Sequence, residues 1–137
     1  MPQIFRYLKL IFSFLSNEHL PPHVHVSDED DNQSIFDLII TDGILVDIKV
    51  RPKPGHKPLS EKNQGIVRTF ICAYYAQIVR KWFEYFVLNK TIKVETISKL
   101  ENLTIDTQKL EEEIQYLNNH FYPTPKKQAK TSKSKNK

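Results

Sequence analysis

Cysteine, glycine and long apolar runs are all scarce in this chain. A single cysteine, Cys72, in 137 residues rules out an internal disulfide. It sits in an apolar stretch, where a buried, unreactive thiol is expected. Only three glycines are present, at positions 43, 55 and 65, and they form no glycine-rich phosphate loop. No nucleophile elbow and no metalloprotease helix motif occurs either, which sets aside three large enzyme classes. No stretch approaches the 18 or so uninterrupted apolar residues of a membrane span. The opening MPQIFRYLKLIFSFLSNEH interleaves cations with its apolar residues and lacks a small-residue cleavage site, so no signal peptide and a cytoplasmic location are expected. The length suits one domain that buries a core without disulfides or a structural metal.

The charge is unevenly placed. Twenty Lys and Arg against sixteen Asp and Glu give +4, but the last twelve residues, KKQAKTSKSKNK, hold six lysines and no acid. Residues 1–125 therefore carry fourteen cations against sixteen carboxylates, a net of −2. The tail, 126–137, has nothing apolar to bury and is expected to be disordered. It would act as a solubilising tail or as a salt-sensitive attraction to nucleic acid.

Residues 3–15 are rich in Ile, Phe, Tyr and Leu and read as strand, either one long strand or, the favoured reading, a tight hairpin near Leu8-Lys9, where no Gly or Asn marks a turn. Asp28 to Asn32 reads as an exposed loop. IFDLIITDGILVDIKV then gives a second hairpin. A two-residue Asp42-Gly43 loop would set Leu38 against Asp47 and Phe36 against Lys49. A three-residue loop, Thr41-Asp42-Gly43, pairs Ile40 with Ile44, Leu38 with Val46 and Phe36 with Ile48, and the apolar match favours it. The opposite face would carry Asp47, Lys49 and Arg51, with Lys53 in phase.

Three prolines and a glycine in RPKPGHKPL end the sheet. Ser60 is a suitable N-cap, with Glu61 in the first turn. Adjacent apolar pairs then recur every four residues from Ile66-Val67 to Phe86-Val87, which is helical spacing. Four-residue steps overshoot a turn by about 40°, so the apolar surface winds around the helix. Such a helix needs cover on two sides, from the sheet and from either the C-terminal segment or a second subunit. A short strand is expected at Thr91–Val94. A last helix starts at Asp106 or Thr107, buries Leu110, Ile114 and Leu117, and stops at Pro123 and Pro125.

Three of the five histidines fall within seven residues, in EHLPPHVHV from Glu18 to Val26. Pro21 and Pro22 fix two φ angles, so the chain reaches His23 extended. Residues two apart share a strand face, which places His23 and His25 together on the less buried side and Val24 and Val26 toward the core. Three readings stay open. The imidazoles could bond the loop backbone, with Glu18 fixing a tautomer. They could be a metal site, for a divalent ion held by His19, His23 and His25 with Glu18 in reach. They could be an acid–base centre of His23, His25 and Glu18, with Lys49, Arg51 or Arg80 holding a phosphate.

The opening MPQIFR, the aromatic strand ending in SNEH, the PPHVHV block and the Trp82-Phe83-Glu84-Tyr85-Phe86 helix end resemble the domain-of-unknown-function family 4160. Many of its members carry glycine where this chain has Leu8-Lys9-Leu10. The resemblance covers residues 1–98 and implies a small prokaryotic protein beside a second uncharacterised partner, in an arrangement like a toxin–antitoxin pair. It implies no reaction.

The combined expectation is an α+β fold, a small antiparallel sheet packed on one long helix. Residues 99–125 would form a helical extension and 126–137 a lysine-rich tail. Functionally, a toxin–antitoxin component acting on or binding nucleic acid through Lys49, Arg51 and Lys53 is expected. The alternatives are a non-catalytic protein-binding module, a homo-oligomer through the 66–87 helix, or a small metal protein. No cofactor is required by the sequence. No membrane partner is expected.

Overall fold

Two left-handed residues, where glycine would be the usual choice, make the first turn of the fold. In the computed structural model, which describes residues 3–14, 22–101 and 103–120, strand β1 (Gln3–Tyr7) turns into β2 (Leu10–Ser13) through Leu8 at φ 47° and Lys9 at φ 65°. Positive φ at both central residues is the type I′ geometry whose twist matches paired strands. Without Gly or Asn it carries a steric cost of about 1–2 kcal/mol per residue. The hairpin read from the sequence is present.

β3 (His23–Ser27) follows, antiparallel to β2. The loop to β4 (Gln33–Thr41) is organised by the Asp28 carboxylate, which accepts from the backbone N–H of Asp30 and Asn32 and from the Asn32 amide, each at 2.9 Å.

β4 turns into β5 (Ile44–Pro52) through Asp42 at φ 54° and Gly43 at φ 78°. This corrects the expected three-residue loop. The turn has two residues, Thr41 pairs with Ile44 and Ile40 with Leu45, and a bulge at Val46 then shifts the ladder so that Leu38 meets Ile48 and Phe36 meets Val50. The apolar match that motivated the longer loop is achieved one step later, by the bulge. The face assignment survives: Phe36, Leu38 and Ile48 are buried together, while Asp47, Lys49 and Arg51 pair with Ile39, Asp37 and Ile35.

Helix α1 (Glu61–Phe86) starts where expected, the Ser60 hydroxyl accepting from the Asn63 N–H at 3.1 Å. Phe70 is its main anchor, packed against Phe5, Tyr7, Phe12 and Tyr74 with ring centroids 4.5–5.3 Å apart. Burial of such rings is the largest apolar contribution available to a domain of this size. Cys72 corrects another expectation. The buried pairs are Phe70-Ile71 and Tyr74-Tyr75, and Cys72 falls in the outward gap between them, exposed.

The last strand is β6 (Glu95–Ile97), four residues beyond the start expected for it, and it runs parallel to β1. Lys81 from α1 ties it down, bonding Glu95 at 2.7 Å while lying over the Phe5 ring. The sheet order is β5-β4-β3-β2-β1-β6, antiparallel apart from that last pair.

Helix α2 (Thr107–His120) is capped by Asp106, whose carboxylate accepts from Lys109 N–H at 3.0 Å, and it buries Leu110, Ile114 and Leu117 as the stripe predicts. It supplies the second cover that the winding surface of α1 requires. Arg80 bonds Glu113, and Phe83 meets Tyr116 edge-on. The N-terminal turn of α2 also touches the β4–β5 turn, where a Cβ on Gly43 would lie 2.3 Å from the Thr107 carbonyl oxygen. Gly43 is therefore demanded twice, by its φ and by the approach of another backbone. The expected helix stop at Pro123 and Pro125 and the lysine tail lie outside the described residues.

Candidate functional site

The histidine strand is the element to build from, and the structure corrects its expected exposure. His23 and His25 are 4% and 5% exposed, as inaccessible as the core around them, while Val24 and Val26 are fully buried as expected. Two neighbours explain the difference. The His23 ring stands edge-on to the Trp82 indole, centroids 5.4 Å apart. The His25 ring lies between Ser13 and Ile35 in the ladder and is engaged by the Gln33 side chain. The two imidazoles thus serve different neighbours, one on the long helix and one on the adjacent strand.

The bond to Gln33 determines the proton position on His25. Gln33 Nε2 donates to the Asp31 carboxylate at 2.5 Å, and a carboxylate can only accept. The amide oxygen of Gln33 therefore faces His25, so His25 Nε2 carries the hydrogen and donates. Burial lowers the pKa of His25 from 6.5, with Lys53 and His56 acting the same way and the Gln33 bond and Asp31 opposing. The ring is neutral at physiological pH, with its lone pair on Nδ1. Nδ1 has no hydrogen-bond partner among the described residues and is sealed from solvent.

The basic residues converge on the same columns of the sheet. Arg51 pairs with Ile35, which pairs with His25; Lys49 pairs with Asp37, which pairs with His23. Arg51 grips the buried Asp37 in a two-pronged bond of 2.7 and 2.9 Å, which raises the guanidinium pKa. Lys49 is exposed, Lys53 is half-buried. The proline segment after β5 returns along the start of β4, with Gln33 N–H bonding the Lys57 carbonyl at 2.8 Å and His56 Nδ1 3.2 Å from the Asp31 carbonyl oxygen. Residues 48–60 hold Lys49, Arg51, Lys53 and Lys57 and no carboxylate. This edge is a cationic strip.

Other predicted site residues lie apart. Arg80 is committed to Glu84 and Glu113 between the helices and takes no part here. Glu18 and His19 lie outside the described residues, as does Pro21. Among the described residues no group of three or more His, Cys, Asp or Glu side chains converges to hold a metal. Concavities of about 430, 520 and 190 Å³ lie around β6, the end of α1 and the α1–α2 seam, the last lined in part by Arg80 and none by His23, His25, Lys49, Arg51 or Lys53.

Gln33, Asp31, Asp37 and His56 belong to this neighbourhood and were not singled out from sequence. One signal for Gln33 exists: in a hairpin closing on the Asp28–Asn32 loop, it falls diagonal to His25 on the same face.

A family model described as a domain of unknown function (DUF4160) matches residues 10–83. The chain belongs to that family. The match spans β2 through nearly all of α1, including the histidine strand and the cationic edge, and leaves β6 and α2 outside it. No curated protein and no solved structure matches the chain. Among the described residues, no helix is long and apolar enough to cross a membrane.

Proposed function

We propose that this DUF4160 protein binds nucleic acid, most directly RNA, as a component of a toxin–antitoxin module, and that it does so without acid–base chemistry by its paired histidines. The observation that carries this reading is the cationic stretch that begins on the edge strand, four Lys and Arg over residues 48–60, of which Arg51 is paired to Asp37 and the three lysines remain for phosphates. Lys49, Lys53 and Lys57 supply charge for phosphates, and Arg51 is held in place by Asp37. Contacts of this kind hold the backbone and do not read sequence.

His25 is not placed to react. A general base must come within hydrogen-bond reach of the proton it removes, and His25 Nδ1 is sealed from solvent. Its neutral state keeps a further positive charge away from Lys53, whose field acts on it.

Fluorescence anisotropy with a labelled single-stranded RNA, over a salt series, tests the proposal. Lys53→Glu with Lys57→Glu should weaken binding and flatten the plot of log K against log salt by about 1.4, roughly 0.7 for each phosphate no longer neutralised. Replacing the six tail lysines by serine should leave that difference in place. Equal affinity and equal slope for the wild type and the Lys53, Lys57 variant would defeat it.

A further inference from the structure

β5 is an edge strand of nine residues, and its outer side is unusual in carrying exposed apolar side chains. Ile44 is 52% exposed, Val46 59% and Val50 36%. Edge strands are commonly guarded by charge, proline or bulges. Here the bulge at Val46 and Pro52 sit near the two ends of the strand, and the middle is held differently. The Ile48 N–H bonds its neighbour's Asp47 carboxylate at 2.8 Å, and the Ile48 carbonyl accepts from Arg68 Nη1 at 3.0 Å. Both Ile48 groups therefore point away from β4. By the two-residue alternation of a strand, the Val50 groups point outward as well.

We propose that β5 is the interface of a symmetric dimer, pairing antiparallel with β5 of a second copy about a two-fold axis at Ile48. The occupant is identified by charge. In this register Asp47 lies opposite Lys49 of the partner subunit, twice, and Val46 lies opposite the partner's Val50, twice. Outward-facing residues must pair with outward-facing residues, so the neighbouring registers differ by a slip of two. One such slip sets Asp47 against the partner's Asp47; the other sets Lys49 against the partner's Lys49 and Asp47 against the partner's Arg51, a guanidinium already committed to Asp37. Like charges directly opposed are unfavourable, so the sequence IKV flanked by Asp47 and Arg51 selects one register.

The local caps are compatible with this exchange. A carbonyl oxygen has two lone pairs, so Arg68 can keep its bond to Ile48 beside an inter-strand bond. The Asp47 carboxylate leaves the Ile48 N–H, which takes the partner's Ile48 carbonyl, and turns to the partner's Lys49. A two-fold axis normal to the sheet keeps both outer faces on one side. The basic residues Lys49, Arg51 and Lys53 of the two copies then share one face of the joined sheet and run from the axis in opposite directions. Only this last consequence rests on the nucleic-acid reading; the dimer does not.

Sedimentation equilibrium on nuclease-treated full-length protein tests the interface. The wild type should be a dimer in the micromolar range. Asp47→Lys alone and Lys49→Asp alone each oppose like charges twice and should weaken the dimer at least tenfold. An equimolar mixture of those two variants restores both opposite-charge pairs and should form the heterodimer, as should the homodimer of the double variant D47K/K49D. Lys53→Glu should leave the dimer intact. A wild type that stays monomeric, or single variants that dimerise as well as it does, would overturn the proposal. So would a mixture that fails to associate while both variants keep the wild-type circular-dichroism spectrum. Loss of RNA binding with the dimer retained would remove the function reading alone.

Discussion

Replacing Gln33 by leucine tests whether His25 is held by the Asp31–Gln33 arrangement. The amide oxygen of Gln33 is the partner of His25 Nε2, and Nδ1 already lacks one among the described residues. Gln33→Leu would leave a buried N–H donor unpaired, which costs about 1–3 kcal/mol. For a chain of this size that corresponds to a fall in melting temperature of roughly 3–10 °C. His25→Leu is expected to cost less, because it removes the N–H and the orphaned Nδ1 together, and the half-buried Gln33 can turn to water. The double variant should therefore fall close to His25→Leu alone. Urea denaturation of all four proteins closes the cycle. A double-variant cost equal to the sum of the single costs, within about 0.5 kcal/mol, would show that the two side chains are not coupled. The same experiment has a pH arm. Burial lowers the pKa of His25 from 6.5, so the unfolded chain takes up a proton that the folded chain refuses. Stability should hold above that value and decline as the pH falls through it, and His25→Leu should remove that part of the decline. An unchanged pH slope in the variant would refute the assignment.

Three further outcomes follow from the backbone and the surface. Leu8→Asn with Lys9→Gly puts the preferred pair into the type I′ turn and should stabilise the protein by about 1 kcal/mol, read as a shift in the denaturation midpoint. The exposed Lys9–Glu29 contact at 3.9 Å contributes too little to offset this. Gly43→Ala should destabilise by more than about 2 kcal/mol, because a positive φ and a Cβ 2.3 Å from the Thr107 carbonyl oxygen act together. Cys72 should react fully with a thiol reagent in the native protein, without the lag that a buried thiol would show.

What could be read from the sequence was local. The Ser60 cap, the α2 stripe of Leu110, Ile114 and Leu117, and the two hairpins each depend on residues within a few positions of one another. The β4–β5 register shows the limit of such reasoning. A three-residue loop, and a two-residue turn followed by a bulge, place the same side chains on the same faces, so apolar pairing cannot separate them. β6 was displaced from its expected position because its pairing comes from β1, about ninety residues earlier, and from Lys81. The depth of His23 and His25 was hidden for the same reason. Strand alternation gives a side chain its face, but Trp82, which stands against His23, is a tertiary neighbour, and the Gln33 contact to His25 depends on how the β3–β4 hairpin closes. Cys72 was misplaced because its apolar surroundings in sequence say nothing of its angle on a winding stripe.

The bond from the Gly43 N–H to the Glu111 carboxylate, 3.1 Å long, joins groups 68 residues apart and ties the matched family segment to the helix beyond it. Closing so wide a loop is entropically expensive, and bonds of that kind open before a core does. The Gly43 amide is accordingly a built-in reporter: its deuterium uptake should track the undocking of α2, at a lower free energy than the amides of β3. One residue at a turn would then separate the release of the appendage from the unfolding of the domain beneath it.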